Sequence, residues 1–132
     1  MKAYNIDDFV TLIGIDWADT KHDICEHPIH SKIYNYSIIK NKPEALHYWA
    51  MELKQRYPDQ QIAVACELKK GPLIYALSKY NHLTLFTINP STVAKYRKAF
   101  TPSGAKDDPS DAFTQVEILT LHMSKLTVIE PE

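Results

Sequence analysis

The stretch Leu12-Ile13-Gly14-Ile15-Asp16 is apolar up to its last residue, which is an acid. Residues 11–18 are predicted to form a strand, and its nearly continuous apolar character indicates a central position with both faces covered. A carboxylate directly after such a run is poorly placed for a purely structural role. We therefore expect this strand to deliver Asp16 to one edge of a sheet.

The rest of the chain supplies partners for that strand. Short connections after it predict an antiparallel meander of three strands, and the later alternation of strands and helices requires parallel pairing. The order βββαβαβα plus a final helix predicts an α/β fold, a ribonuclease H-like mixed five-stranded sheet flanked by helices. The further strands are predicted at 22–27, 31–39, 61–67 and 83–88, and the helices are predicted to begin near Pro43, Gly71, Pro90 and Asp108.

The bulk composition is that of an ordinary soluble domain. The 132 residues suit one domain, 1–132, with one core. A net charge of −1 gives no overall attraction to nucleic acid, so any such binding must come from a local basic patch. No apolar run approaches the roughly 20 residues that span a membrane, and the amino-terminus lacks a secretory stretch. A cytoplasmic location without a membrane partner is expected.

Cysteines and glycines narrow the chemistry further. Cys25 and Cys66 each lie in a predicted strand, and no CxxC pair is present, which favours two buried thiols in a reducing compartment over a disulfide. The chain has only three glycines, so it lacks a Gly-rich loop of the kind that cradles phosphates.

Three further acids are expected to join Asp16. Glu67 ends the apolar run 62–66 in the same way, and neighbouring parallel strands present their carboxyl ends at the same edge of a sheet. Asp108 and Asp111 lie one turn apart at the start of the last helix. Gathered carboxylates repel one another, and a hard divalent cation such as Mg²⁺ or Mn²⁺ relieves that repulsion. The four acids predict a metal site suited to phosphodiester chemistry.

Each acid also has a simpler explanation when it is taken alone. Asp108 and Asp111 fit the N-cap and N3 positions, where acids stabilise a helix start. Glu67 alone fits a surface residue at a strand end. The two strand-end acids together with the helix pair, in this chain order, favour the metal site.

At these residues the sequence resembles the amino-terminal, RuvC-like domain of the DEDD transposases of the insertion sequence 110 family. The resemblance covers the chain from about Leu12 to His122. The motifs that carry it are Gly14-Ile15-Asp16, Ala65-Cys66-Glu67, the strand that ends in Asn89-Pro90, and Lys106-Asp107-Asp108-Pro109-Ser110-Asp111-Ala112.

The resemblance implies a function and a set of ligands. Asp16, Glu67, Asp108 and Asp111 would be catalytic and would bind Mg²⁺ or Mn²⁺, with Asp107 remaining an alternative to Asp108. The implied activity is DNA transposition by strand cleavage and transfer. The family's second domain carries a nucleophilic serine and does not lie within these 132 residues, so the chain would supply half of a composite active site. A structured guide RNA and a homo-oligomer are also implied.

Other candidate residues surround these acids. Six basic side chains could hold phosphates beside the acidic edge, although a solvated helix face explains them equally well. Trp17 and Tyr96 could stack on bases but fit a core position better. His22, His27 and His30 lack a zinc-ligand spacing and are predicted to lie on the surface. The six candidates for nucleic-acid binding are Lys69, Lys70, Lys95, Arg97, Lys98 and Lys106.

Three rival functions stay open at this point. The first is a stand-alone junction resolvase that uses metal-activated water, and the second is a non-catalytic remnant that only binds nucleic acid. The third is an actin-like ATPase or sugar kinase, whose first phosphate motif Gly14-Ile15-Asp16 also resembles. Trp17-Ala18-Asp19 disfavours that reading, because those proteins place Gly or Thr residues after the acid.

Overall fold

The computed structural model describes residues 3–67, 71–100 and 111–129. Its sheet contains β1 (Thr11–Asp16), β2 (Lys21–Pro28), β3 (Asn35–Lys40), β4 (Ile62–Glu67), β5 (Leu83–Ile88) and β6 (Thr127–Ile129). Its helices are α1 (Pro43–Arg56), α2 (Gly71–Ser78), α3 (Pro90–Phe100) and α4 (Asp111–His122), and short 3-10 turns lie at Ile6–Asp8 and Met123–Lys125.

The strands form one mixed sheet in the order β3-β2-β1-β4-β5-β6. The first three strands pair antiparallel, while β4 pairs in parallel with both β1 and β5, as predicted. The structure adds a sixth strand to the five that were predicted. This β6 has three residues and pairs antiparallel with β5, and such a short strand leaves almost no periodic signal in the sequence.

Some strand ends differ from the prediction. The first strand ends at Asp16 rather than at residue 18, because the chain turns there into β2. The third strand begins at Asn35 rather than at residue 31. His30 adopts a left-handed backbone conformation, with φ of 59°, and the hydroxyl of Ser31 donates to the Pro28 carbonyl, so this segment is a turn.

Helices cover both faces of the sheet. Ile13 and Ile15 of β1 pack with α1 and α2 on one face, whereas Leu12 packs with α3 and α4 on the other. This arrangement buries β1 completely up to Ile15, which confirms its predicted central position. The last helix faces the sheet with an apolar stripe, because Ala112, Val116 and Leu119 of α4 and Met123 of the following 3-10 turn are all buried.

Local chemistry fixes the start of α3. The Asn89 side chain accepts hydrogen bonds from the backbone N–H of Ser91 at 2.9 Å and from its hydroxyl at 2.8 Å, and Pro90 occupies the first helical position. This confirms the predicted Asn-Pro helix start. The predicted start of the last helix at Asp108-Pro109 lies outside the described residues.

Both cysteines are buried free thiols, as predicted. Burial raises the pKa of Cys25 to about 11 and that of Cys66 to about 12, so neither thiol is ionised near neutral pH. Within the described ranges, none of the helices has the length and apolar character needed to cross a membrane.

Candidate metal centre

Two acids reach the same edge of the sheet because their strands are parallel neighbours. Asp16 is the last residue of β1 and Glu67 is the last residue of β4. The register pairs Gly14 with Ala65, two residues before each acid. The predicted meeting of these two strand ends is therefore present in the structure, and both acids are half-buried.

A third acid comes from α4, which lies directly on β1. Asp111 is the first residue of this helix as the structure describes it. The contact is so close that a Cβ on Gly14 would collide with the backbone carbonyl of Ala112. Glycine at position 14 therefore allows the helix to carry Asp111 over the end of the strand.

The three carboxylates converge on one point. One oxygen from each of Asp16, Glu67 and Asp111 lies within 4.8 Å of the others, and all three residues are half-buried. Three hard oxygen donors at this spacing suit a divalent cation, which would relieve their mutual repulsion. The donor set therefore fits the metal that the sequence predicts, and the three acids could hold one.

The remaining predicted ligand lies outside the described residues. Asp108 belongs to the segment 101–110, as do its alternative Asp107 and the basic Lys106. Lys69 and Lys70 lie in the segment 68–70, which is also outside the described part of the chain. The three acids above come from the described residues alone.

Arg97 of α3 pairs with one of the three acids. Its Nη1 donates to Oδ1 of Asp111 at 2.8 Å, and both side chains are partly buried. A carboxylate has two oxygens and can accept an arginine at one and a cation at the other. Arg97 thus lies at the acidic edge, whereas Lys95 and Lys98 are exposed on the same helix.

The turn after Asp16 is held by a buried histidine. The backbone N–H of Ala18 donates to Nδ1 of His22 at 3.1 Å, which requires that nitrogen to be unprotonated. Nε2 of His22 lies 3.2 Å from Oδ1 of Asn41 and is therefore the protonated nitrogen. Burial lowers the pKa of His22 from its usual 6.5, which favours this neutral form.

The prediction of three surface histidines is wrong for two of them. His22 is fully buried and stacks on the Trp17 ring at 3.8 Å, and His27 is buried and stacks on Tyr34 at 4.2 Å. Each ring also makes polar contacts, which makes burial tolerable. Only His30 matches the prediction, since it is exposed and pairs with Asp7.

Both aromatic residues that were weighed as base-stacking candidates pack against the core. Trp17 contacts the cluster beneath α1 and α2, and Tyr96 contacts the cluster beneath α3 and α4. The preference for a core role is confirmed.

The sequence analysis did not predict a role for one residue beside the site. Gln115 of α4 is completely buried, and its Nε2 donates to the Ile15 carbonyl at 3.1 Å. It lies four residues after Asp111 and therefore on the same side of the helix. The sequence feature that could have indicated it is an amide side chain within the apolar stripe of Ala112, Val116 and Leu119.

Comparison with known proteins gives one family. A family model for transposases of the DEDD, IS110 type matches residues 13–132. Two relatives are similar to this chain. "Putative transposase y4uE" of Sinorhizobium fredii is 28% identical over 102 residues, which are 75% of this chain and 28% of that protein. "Mini-circle putative transposase for IS117" of Streptomyces coelicolor is 29% identical over 120 residues, which are 89% of this chain and 28% of that protein. The chain thus spans less than a third of the length of either relative.

Proposed function

The chain belongs to the transposase family of the DEDD, IS110 type, and from that premise we propose that it is the metal-binding catalytic domain with which such a transposase cuts and joins DNA strands. The observation that carries the proposal is the convergence of Asp16, Glu67 and Asp111 from three separate elements. Asp16 and Glu67 lie at the carboxyl ends of parallel strands, where open α/β sheets bind ligands.

The three acids would hold Mg²⁺ or Mn²⁺. Carboxylate oxygens are the donors that these ions prefer, and Asp108 of the undescribed segment is the proposed fourth ligand. When bound, the cation would supply charge stabilisation to the oxygens that enter and leave a phosphodiester. Arg97 would keep the Asp111 carboxylate oriented, because its guanidinium already donates to one oxygen.

Basic side chains near the acids would hold the DNA backbone. Arg97 contacts an acid of the cluster, and Lys95 and Lys98 are exposed on the same helix α3. With a net charge of −1, the chain needs such a local patch to attract phosphates. Lys69, Lys70 and Lys106 are proposed to extend this patch from the segments outside the described residues.

The active site is proposed to be composite. The chain covers 28% of the length of each relative that it matches. In this proposal a second domain supplies the nucleophilic serine, while the acids of this chain bind the metal and position the strand. A structured guide RNA and a homo-oligomeric assembly, both implied by the family, complete the proposed cytoplasmic machinery.

Binding of Mn²⁺ tests the metal centre directly. We expect the chain to bind Mn²⁺, measured by the loss of the free-ion electron paramagnetic resonance signal, and Asp16→Asn to weaken that binding by roughly 100-fold or more. The matched control is Asp19→Asn, which removes an exposed acid from the nearby turn. Equal affinities for wild type and Asp16→Asn would refute the proposed site.

A second measurement tests the composite site. Because the proposed nucleophile is a serine of another domain, we expect no hydrolysis of branched or linear DNA by this chain alone with Mg²⁺. Efficient cleavage of a four-way junction by the chain alone would instead support a resolvase that uses metal-activated water.

A further inference from the structure

A buried amide joins α4 to β1 immediately beside the acids. The Gln115 side chain is completely buried, and its Nε2 donates to the backbone carbonyl of Ile15 at 3.1 Å. Ile15 directly precedes Asp16, and Gln115 lies one helical turn after Asp111. This one hydrogen bond therefore links the residue before Asp16 to a residue one helical turn after Asp111.

The amide lies where α4 approaches β1 closely. The Ala112 backbone lies against Gly14, where a Cβ would collide with its carbonyl oxygen. The Cβ of Gln115 lies only 3.1 Å from the position that a Cβ on residue 14 would occupy. We call these four residues, Gly14, Ile15, Ala112 and Gln115, the α4 anchor.

The Gln115 side chain is not a favourable choice if stability is the only requirement at this position. Its Oε1 is buried and makes no hydrogen bond within the part of the chain that the structure describes. A buried acceptor without a partner is destabilising, and an apolar side chain of similar volume would avoid that cost. The neighbours of Gln115 on the same helix face, Ala112, Val116 and Leu119, are all apolar and buried. Packing therefore does not explain an amide at this position.

We infer that Gln115 is a positioning residue, whose amide fixes the register of α4 on β1 so that Asp111 stays within metal-sharing distance of Asp16. The inference rests on the proposed metal function. Without the amide donor, the helix would retain its apolar contacts but would be free to slide or rotate slightly on the strand. Small shifts matter because a metal site needs its ligands held to within a fraction of an ångström.

Gln115→Met separates positioning from stability. Methionine keeps the length and removes both the donor and the buried orphan oxygen. We expect the metal-free variant to melt close to the wild-type temperature, because the lost hydrogen bond to Ile15 and the removed orphan oxygen act in opposite directions. It should bind Mn²⁺ about 10-fold more weakly, as for other residues that support metal ligands. Gln115→Leu is a second apolar variant that lacks the donor, and it should weaken the binding of Mn²⁺ to a similar degree.

Ile118→Val is the matched control on the same helix. It removes one methyl group from a buried residue and should lower the melting temperature while leaving the affinity for Mn²⁺ unchanged. Wild-type affinity in Gln115→Met would overturn the positioning role and leave the metal centre intact. Failure of the wild-type chain to bind Mn²⁺ would instead overturn the proposed function, and the inference with it.

Discussion

Glu26 and the acidic cluster lie towards opposite ends of β1 and place carboxylates in contrasting surroundings. Glu26 on β2 is buried, and it accepts hydrogen bonds from Arg56 at 2.7 Å, Tyr57 at 2.8 Å and Thr11 at 3.2 Å. Its charge is therefore balanced within the chain by a cation and two hydroxyls. We call these four residues the Glu26 network.

The other end of the strand gathers three carboxylates instead, and Arg97 pairs with one of them. Asp16, Glu67 and Asp111 bring oxygens within 4.8 Å of one another and remain half-buried. A buried carboxylate that loses its cation is strongly destabilising, whereas a cluster of carboxylates is suited to bind an external cation. The two ends should therefore respond in opposite ways when charge is removed.

Gly14→Ala should have the largest effect, because Gly14 lies on β1 beneath α4. Its new Cβ would collide with a backbone carbonyl of Ala112, which cannot move as a flexible side chain can. We expect a loss of about 3 kcal/mol in the free energy of unfolding, at the upper end of typical overpacking, measured by urea denaturation. Affinity for Mn²⁺ should also fall, since Asp111 moves with the helix.

Gly71→Ala is the control for that substitution. A Cβ on Gly71, at the start of α2, would meet no atom of the described residues within 4 Å. This variant should be neutral or slightly stabilising, because alanine favours the helix. A loss below about 1 kcal/mol in Gly14→Ala would mean that α4 does not rest on β1 as described.

Arg56→Met should have the next largest effect, at the other end of the comparison. It leaves the Glu26 carboxylate, of which only 9% of the side chain is exposed, without its cation. Buried pairs broken in this way typically lose 3–5 kcal/mol, but the Arg56 side chain is 42% exposed, so we expect about 2 kcal/mol. Urea denaturation measures the loss, and affinity for Mn²⁺ should not change.

A neighbouring pair provides the control for Arg56. Glu52 lies 3.4 Å from the same guanidinium, but 48% of its side chain is exposed. Glu52→Gln should change the stability by less than about 0.5 kcal/mol, as is usual for surface pairs. If Glu52→Gln and Arg56→Met proved equally harmful, the Glu26 network would not be the stabilising element.

The acidic cluster and the Glu26 network also differ in how well the sequence alone predicts them. Asp16 and Glu67 were predictable because a simple rule places the ends of parallel strands together, and each acid directly follows a conspicuous apolar run. The Glu26 network joins a strand to the end of a helix 30 positions away, and no local pattern indicates which basic residue a buried acid will meet.

Other features were hidden for related reasons. His22 is buried because Trp17 and Asn41 happen to surround it after folding, and only the folded chain shows such partners. Gln115 interrupts an apolar stripe, and only the folded chain brings the Ile15 carbonyl to its amide. Periodicity predicts which face of an element is buried, but not which polar groups accompany it.

Asp16→Asn should change the stability in the opposite direction from Arg56→Met. Asparagine keeps the shape of the side chain and an oxygen acceptor but removes one of three neighbouring negative charges. Without divalent metal, we expect the free energy of unfolding to rise by about 0.5 kcal/mol at low ionic strength, because like-charge repulsion is relieved. Thermal melts in EDTA would show this as a higher melting temperature.

Salt provides the check on that result. Screening by added salt weakens repulsion between half-buried charges, so the advantage of Asp16→Asn should shrink as the salt concentration rises. Asp19→Asn, at an exposed position, should show no comparable gain. A lower melting temperature for Asp16→Asn at every salt concentration would mean that the Asp16 carboxylate stabilises the metal-free fold, and it would contradict the expected repulsion.

The smallest effect concerns the pH dependence of the turn that follows Asp16. Burial lowers the pKa of His22 below its unfolded value of 6.5, while its contacts with Asn41, the Lys21 backbone and the Asp23 charge act in the opposite direction. A lowered folded-state pKa means that the unfolded chain binds the proton first. The contribution of neutral His22 to the free energy of unfolding is therefore complete above about pH 6.5 and is lost as the pH falls through the folded-state pKa.

His22→Gln removes this titration while keeping a side chain that can accept from Ala18 and donate to Asn41. The variant should lose less stability than the wild type between about pH 7 and pH 5, as measured by urea denaturation at each pH. The other five histidines remain in both proteins, so their contributions cancel in the difference. Identical pH profiles would mean that protonation of His22 does not disturb the turn.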